Sequence, residues 1–498
     1  MRPVGRTGRP RLAGPATSQG RRGTGDFQPG CLRPRRLSPG VPNDQPALQI
    51  GQEYAASFDN LTHDGAAVAR IGGWPVFVPD ALPGEKASVR ISGLRKNFAL
   101  GELVGSLQPC PERVLPVCPW FGSCGGCQLQ HASYPAQLAF KAHQVDNALR
   151  RIGRLQPEDY TFHPVIGMAE PWHYRNKAQL PVGTSAGRLV AGFYRRGSHD
   201  LVAVDACPIQ CAANNRVIGL LPELCAELGL RPSMAPGDGG LRHLLVRSSR
   251  ASGQVMVSLV SANGPFPRQA DLVAAIRERL PEVVSIVRNF NDRPGSQVSG
   301  PRSQLLWGAS HLYDDCAGLR FAISAASFFQ VNPEQTGRLY ARLLEMAAVG
   351  SADTVVDAYC GIGTISLLLA RQAGRVLGLE IVPDAIADAR KNAADNSLAN
   401  AEFHCGLAER LLPAWQRRGL QPTVAVVDPP RAGCDPALLA ALLKLGPERL
   451  LYVSCDPATL ARDLCLLTQG GYAVREVQPV DMFPQTSHIE TLVKLERR

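Results

Sequence analysis

The last third of the chain alternates short apolar runs with helix-like runs, and this alternation restricts the fold more than any other feature. From residue 333 onward the order is TVVDAYCG, ISLLLARQAG, RVLGLEIV and DAIADARKNAADN. Strands separated by helical segments of this length are typical of a parallel sheet that carries helices on both faces. We therefore predict a doubly wound, Rossmann-like α/β domain over residues 326–498.

The 498 residues are too many for one core, and the rest of the chain divides by composition. Residues 48–106 contain short β-rich runs broken by HDG, GG and PG, which predicts a small OB-like antiparallel barrel. Residues 107–325 mix strand pairs with helices and predict a central α+β domain. Residues 1–47 are rich in Arg, Pro and Gly with little apolar periodicity, so we expect a disordered basic tail.

The net charge says little about partners. It is +10 in total, but residues 1–47 hold nine Arg, no Lys and two Asp, a net of +7 that leaves +3 for residues 48–498. No run approaches about 18 uninterrupted apolar residues, so we expect no membrane span. With fourteen Cys and no secretion signal, we expect a reducing, cytoplasmic location. Nothing in the sequence implies an obligate protein partner.

A glycine-bearing turn follows the first strand of the predicted α/β domain, in VVDAYCGIGT (355–364). Gly361 and Gly363 would let the backbone approach a ligand at the start of the next helix. Glu380 ends the following strand, where an acid suits the two hydroxyls of a ribose. The turn reads C-G-x-G-T and has no cradle for a pyrophosphate, so it favours S-adenosylmethionine over NAD as the cofactor.

The stretch YVSCDPATLARDL (452–464) places Cys455 where an apolar strand gives way to a helix-like run. A single cysteine is most often a small buried hydrophobe. Methylation of a pyrimidine at C5, however, requires a thiolate that adds to C6 and a base that removes the C5 proton. Glu490, an acid inside the apolar run of HIETLVKL, is the candidate base. We expect the helix N-terminus to lower the pKa of the Cys455 thiol.

A cysteine-rich loop follows the predicted barrel. CPWFGSCGGCQLQH (118–131) has the spacing C-x5-C-x2-C, and VDACPIQC offers Cys207 or Cys211 as a fourth ligand. One compact triplet with a distant fourth thiolate suits a [4Fe–4S] cluster. Zinc is the alternative, since C-x2-C is common in zinc ribbons. Cys110 is a more widely spaced candidate.

The motifs together resemble one family. VSCDPATLARDL, VVDPPRAG, FFQVN, DAYCGIGT and HIETLV make residues 48–498 similar to the RNA uracil-C5 methyltransferases, which modify 23S rRNA and tRNA. The resemblance implies that Cys455 is the nucleophile and Glu490 the base. It also implies that S-adenosylmethionine is contacted by Gln330, Tyr359, Glu380 and Asp428. Leu407 stands where the family often has Asp or Asn near the adenine, so that contact must come from elsewhere.

The resemblance extends to the cysteines and the barrel. It supports a [4Fe–4S] cluster held by Cys118, Cys124, Cys127 and Cys207. Because C-x5-C-x2-C is not the C-x3-C-x2-C of radical enzymes, we expect a structural or RNA-positioning role. The run LTHDGAAVARIGGWPVFVPDALPGE is similar to a TRAM domain, an RNA-binding module. The cluster motif favours 23S rRNA as the substrate. The alternatives are a tRNA uridine and a catalytically silent RNA-binding or ribosome-assembly factor. Amino-group methylation through Asp428-Pro429-Pro430-Arg431 is a further alternative, weakened because Arg431 replaces the stacking aromatic residue.

Two basic segments are candidates for RNA phosphate contacts. One is Arg175, Asn176 and Lys177 in HYRNKAQL, and the other is Arg195, Arg196 and His199 in FYRRGSHD. For each residue, a solvated surface position is an equally good interpretation. The uridine would have to leave its stack to reach the nucleophile, which costs least in a loop or a bulge of the RNA.

Overall fold

The computed structural model describes residues 48–295 and 297–498. The prediction for the basic tail, residues 1–47, lies outside these ranges. The N-terminal part of the described chain is a closed barrel with the strand order β1-β2-β3-β5-β4. Side chains of β4 alternate between buried and exposed, the period of two that lets one face line a core. The strands are β1 (Glu53–Leu61), β2 (Ala67–Ile71), β3 (Trp74–Val78), β4 (Lys86–Leu94) and β5 (Ala99–Gln108).

A loop, one long helix and a short strand follow the barrel. The helix α1 (Tyr134–Arg151) begins at Ser133, whose hydroxyl accepts a hydrogen bond from the Ala136 N–H. A 3₁₀ turn (Pro157–Asp159) leads to β6 (Thr161–Phe162). Although these elements precede the central region in the chain, α1 packs against the C-terminal half and β6 joins its sheet.

The central region is a seven-stranded sheet in the order β13-β12-β11-β10-β7-β8-β9. Two helices, α2 (Ala212–Glu227) and α3 (Gln269–Arg279), pack on it around an aliphatic core. A two-stranded sheet of β14 and β15 comes next. The strands are β7 (Lys177–Ser185), β8 (Arg188–Tyr194), β9 (Leu201–Ala203), β10 (Leu241–Ser248), β11 (Val255–Ser261), β12 (Val283–Phe290), β13 (Arg302–Gly308), β14 (Leu312–Cys316) and β15 (Leu319–Ile323).

The C-terminal region is an eight-stranded sheet in the order β18-β17-β16-β19-β20-β22-β21-β6. Its strands other than β6 are β16 (Thr354–Ala358), β17 (Arg375–Glu380), β18 (Ala401–Cys405), β19 (Val424–Val427), β20 (Arg449–Ser454), β21 (Tyr472–Val480) and β22 (Glu490–Arg497). The intervening helices are α4 (Pro333–Ala347), α5 (Thr364–Ala370), α6 (Pro383–Asp395), α7 (Ala408–Arg417), α8 (Pro436–Leu445) and α9 (Pro457–Gln469).

Helices cover both faces of this sheet. Val355 faces a core shared with α4, α5 and α6, whereas the next residue, Val356, faces a second core built by α1, α7, α8 and α9. The predicted doubly wound fold, with an N-terminal barrel and a central α+β region, is therefore confirmed. The predicted domain limits stay predictions.

The sheet departs from a purely parallel arrangement at one side. The strands from β18 to β20 pair in parallel, but β22 is inserted antiparallel between β20 and β21. This insertion brings the beginning of β22 to the edge where the parallel strands end. Within the described part of the chain, no helix is long and apolar enough to cross a bilayer.

Candidate active site

The carboxyl ends of the parallel strands carry most of the predicted site residues. Glu380 is the last residue of β17, Asp428 directly follows β19 and Cys455 directly follows β20. Because β16 lies between β17 and β19, the strand order reverses there and leaves a crevice outside the strand ends. The fold therefore gathers residues from well-separated parts of the sequence at one place.

The turn after β16 has an unusual backbone. Tyr359, Gly361 and Gly363 all have positive φ, at 67°, 55° and 83°. A Cβ on Gly363 would lie 2.8 Å from the Phe403 ring, so only glycine fits there. A Cβ on Gly361 would meet nothing within 4 Å, so the turn faces open space at that point. A non-glycine residue at positive φ costs about 1–3 kcal/mol, and such strain is typical of ligand-binding turns.

Glu380 is fixed beside this turn by backbone donors. Its Oε2 accepts the Gly361 N–H at 3.2 Å, and its Oε1 accepts those of Ile381 and Val382 at 2.8 and 3.0 Å. Oε1 thus accepts two donors, whereas Oε2 accepts one and keeps a lone pair for a further donor, such as a hydroxyl of a ribose. Ile381 and Val382 are 56% and 47% exposed and form an apolar surface suited to an adenine ring. They directly follow the acid in LGLEIVP, which is the signal that sequence reasoning missed.

Asp357 lies buried beneath the turn. Its Oδ2 accepts the Ser366 hydroxyl, whereas its Oδ1 has no hydrogen-bond partner although it is buried. Burial raises the pKa of Asp357 to about 7. A buried oxygen without a partner is costly, so it points to a donor supplied by a ligand, such as the amino group of an amino acid. The turn, Glu380 and Asp357 thus fit a nucleoside linked to an amino acid.

Gln330 lies buried in the loop between β15 and α4. The loop is held by the Asn176 N–H, which donates to the Val331 carbonyl at 2.9 Å. Asn332 then caps α4 by accepting the Gln335 N–H at 3.2 Å. Leu407, at the start of α7, provides no side-chain cap and no polar group.

Cys455 immediately precedes Asp456, the N-cap residue of α9. Asp456 Oδ1 accepts the N–H groups of Ala458 and Thr459 at 3.0 and 2.9 Å, so the helix uses these donors internally. Burial, and then the charges of Glu490 and Asp428, raise the pKa of the half-buried Cys455 to about 11. The expected lowering of the thiol pKa is therefore wrong, because desolvation and two carboxylates outweigh the helix end.

Glu490 reaches the same place from the antiparallel strand. The register of β20 and β22 pairs Ser454 with Thr491, so Cys455 and Glu490 each lie one residue beyond this pair at the same end. Glu490 is 3% exposed, and burial, with Asp428 next in importance, raises its pKa well above the usual value. Burial also raises the pKa of Asp428, to about 7. The thiol and the two carboxyl groups form one electrostatic unit.

Arg431 and His488 belong to this unit, and neither was among the predicted catalytic residues. The Arg431 guanidinium lies 3.5 Å from His488 Nε2, and its charge lowers the pKa of both Cys455 and Glu490. The Arg431 carbonyl accepts the Thr459 hydroxyl at 3.0 Å, which ties this loop to α9. The sequence signal that could have identified Arg431 is its position, as a cation, directly after the Asp-Pro-Pro sequence.

The predicted cluster cysteines interact electrostatically. Burial, and then the charges of Cys207, Cys124 and Cys118, raise the pKa of Cys127 to about 12. Burial likewise raises the pKa of Cys207 to about 11, opposed by hydrogen bonds from the backbone N–H groups of Ile209 and Gln210. The Cys211 sulfur lies 3.0 Å from the Ser248 hydroxyl. Among the described residues, however, no group of His, Cys, Asp or Glu side chains has the arrangement of a metal site.

The fold and this edge define a Rossmann-like S-adenosylmethionine methyltransferase joined to an RNA-binding barrel. Residues 316–498 match the family model of tRNA (uracil-5-)-methyltransferases, and residues 47–104 match that of the TRAM domain. An RNA methyltransferase of Halalkalibacterium halodurans is 48% identical over 441 residues, 88% of this chain and 96% of the relative. One of Bacillus cereus is 46% identical over 453 residues, 91% of this chain and 98% of the relative. The chain belongs to the RNA uracil-C5 methyltransferase family.

A solved structure shows the same architecture. The Pyrococcus abyssi tRNA (uracil-54, C5)-methyltransferase in complex with S-adenosyl-L-homocysteine is 25% identical, with a TM-score of 0.68. The similarity covers 89% of this chain and 100% of that chain. With the matched family models and relatives, the family prediction from the sequence is confirmed.

Proposed function

We propose that this protein methylates C5 of a uridine in 23S rRNA with S-adenosylmethionine, through a covalent bond between Cys455 and C6. The observation that carries this proposal is the convergence of Cys455, Glu490 and Asp428 at one sheet edge. Glu380 and the turn that contains Tyr359 lie at the same edge. A thiol, a base and a cofactor turn at one strand edge are the groups that this reaction needs.

The proposed chemistry assigns one task to each residue. S-adenosylmethionine supplies an electrophilic methyl group. The half-buried Cys455 loses its proton to solvent, and its sulfur adds to C6, which shifts electron density to O4 and makes C5 nucleophilic. Once C5 has gained the methyl group, Glu490 accepts the C5 proton. The electrons of that C–H bond restore the C5–C6 double bond and expel the Cys455 sulfur.

RNA containing 5-fluorouridine tests the covalent step. Fluorine at C5 cannot leave as a proton, so we expect the wild-type protein to form an adduct that survives denaturation, and Cys455→Ala to form none. Cys405→Ala is the matched control, because Cys405 is an exposed thiol at the same sheet edge and should leave adduct formation unchanged. Methylation of RNA by Cys455→Ala would overturn the mechanism. RNA binding by the wild type without any adduct would favour the silent RNA-binding factor.

The choice of RNA needs its own experiment. The C-x5-C-x2-C motif supports 23S rRNA, whereas the name of the matching family model and the Pyrococcus relative favour tRNA as a second candidate. Unmodified 23S rRNA and tRNA transcripts should be offered together, and the methylated nucleotide mapped. Methylation confined to the tRNA would replace 23S rRNA in the proposal and leave the covalent mechanism intact.

We propose further that Cys118, Cys124, Cys127 and Cys207 hold a [4Fe–4S] cluster that supports the loop. The C-x5-C-x2-C spacing, the electrostatic influence of the other three thiols on Cys127 and the N–H donors at Cys207 support this assignment. Iron and acid-labile sulfide should be measured in anaerobically purified protein. Cys207→Ser should lose both, whereas the control Cys211→Ser should keep them. Stoichiometric zinc without sulfide would establish a zinc site instead.

A further inference from the structure

Three cations lie together at the junction of β7 and β10. Lys177 and Arg247 are directly opposite each other in the antiparallel register of these strands, so their side chains share one face. Arg175 lies two residues before Lys177, and its Nε donates to the Lys177 carbonyl at 3.1 Å. Like charges placed opposite each other in a sheet are destabilising unless something compensates them.

No carboxylate of the described chain forms an ion pair with any of the three cations. Arg247 is only 6% exposed; its Nη2 donates to the Ser327 carbonyl at 2.7 Å, but its buried Nη1 has no partner. The carboxylates that influence Arg247 are committed elsewhere, Asp314 to Ser249 and Asp388 to Ser327. Burial and then the two guanidinium groups lower the pKa of Lys177 to about 7. The compensating anion is therefore not part of this region.

The three cations lie next to the candidate active site. Arg247 binds the carbonyl of Ser327, three residues before Gln330, and the neighbouring Asn176 binds the carbonyl of Val331. Burial and nearby cations, Arg175 among them, lower the pKa of His488 to about 4. His488 lies two residues before Glu490, so the cations border the loops that carry the cofactor residue and the base.

We propose that Arg175, Lys177 and Arg247 form a binding site for a phosphate of the RNA backbone beside the target uridine. This inference rests on the proposed function, since it assumes an RNA substrate. A phosphate would supply the missing negative charge and accept hydrogen bonds from Lys177 and from the unpartnered Arg247 Nη1. The two basic segments of the sequence therefore differ in the structure. Arg196 of the second segment forms an ion pair with Asp80 of the barrel at 3.1 Å, whereas the three cations of this site pair with no carboxylate of the described chain.

Lys177→Met and Arg175→Gln test the site, because both changes remove a charge and keep most of the side-chain stem. Binding to unmodified 23S rRNA and tRNA transcripts should be measured without methyl donor over a range of salt concentrations. We expect each variant to bind roughly tenfold more weakly, and the slope of log affinity against log salt to fall by roughly 0.7–0.9. Lys444→Met is the matched control, because this exposed lysine lies at the end of α8, away from the carboxyl edge, and should change neither quantity.

The affinity of each variant for S-adenosylmethionine distinguishes a phosphate site from a site for the carboxylate of the cofactor. We expect this affinity and the thermal unfolding temperature to stay at the wild-type values. A salt slope that does not change would overturn the phosphate site, and a fall in S-adenosylmethionine affinity alone would assign the cations to the carboxylate of the cofactor. Because binding is measured without methyl transfer, this result is independent of whether the covalent mechanism holds.

Discussion

The carboxyl group of Glu490 is buried near Asp428, and its raised pKa makes it a strong proton acceptor once it has ionised. If Glu490 removes the C5 proton, Glu490→Gln should transfer the methyl group and then stay bonded to the RNA. We expect a labelled-methyl RNA–protein complex to accumulate on a denaturing gel, with turnover reduced by at least about a hundredfold. Complete and rapid release of methylated RNA from this variant would count against Glu490 as the base.

Asp428 shows how the site lowers the stability of the protein. A carboxyl group in the unfolded chain ionises near pH 4, whereas Asp428 in the fold stays protonated up to about pH 7. The folded protein therefore loses stability as the pH rises through this window. Asp428→Asn should be more stable than the wild type by roughly 1–3 kcal/mol at pH 8 and nearly equal to it at pH 4, while its activity falls. Urea denaturation at both pH values measures this difference, and an equal difference at the two would contradict it.

At the scale of elements, α1 positions the segment that leads into β22. Lys141 of α1 and Asp481 are both fully buried, with Nζ 2.5 Å from Oδ1, and the Tyr134 hydroxyl also donates to Asp481 at 2.9 Å. Lys141→Met should destabilise the protein by about 3–5 kcal/mol, because it leaves a buried carboxylate without its partner.

An exposed ion pair provides the control for this change. Lys391→Met removes the surface pair with Asp395 and should cost less than about 1 kcal/mol. Adding Asp481→Asn to Lys141→Met should restore part of the lost stability, since the uncompensated charge is then gone. Chemical denaturation gives all three free energies of unfolding. Equal losses from the two lysine variants would contradict the view that the buried pair matters more for stability than the exposed one.

The sequence reveals those parts of the site that depend on local pattern. Cys455, Glu380 and the glycine turn are predictable because each lies at a strand end marked by its own apolar run. The insertion of β22 between β20 and β21 is not predictable, because ETLVKLER would fit any half-buried strand. Lys177 and Arg247 likewise meet only in the folded sheet, 70 residues apart. The sign of the thiol pKa shift was wrong for the same reason, since the opposing carboxylates come from other strands.

At the scale of the whole molecule, most of the formal charge lies outside the site. Residues 1–47 carry +7 of the +10, yet every candidate catalytic, cofactor and RNA-contacting residue lies within residues 48–498. A protein comprising residues 48–498 should therefore methylate its RNA at close to the wild-type rate, while its non-specific affinity for a homopolymeric RNA becomes weaker. Kinetics on the mapped substrate and salt-dependent binding to poly(A) measure the two effects. A large loss of kcat would contradict the assignment of all catalytic residues to 48–498.

The antiparallel position of β22 also bears on how the protein is made. Cys455 is synthesised before Glu490, and until residues 490–497 emerge both β20 and β21 have unpaired edges in the middle of the sheet. If Cys455 and Glu490 are the proposed nucleophile and base, a chain that stalls before residue 490 has the thiol but not the group that would release it from RNA. Because the strand that completes the sheet also carries Glu490, completion of the fold and completion of the proposed catalytic pair depend on the same eight residues.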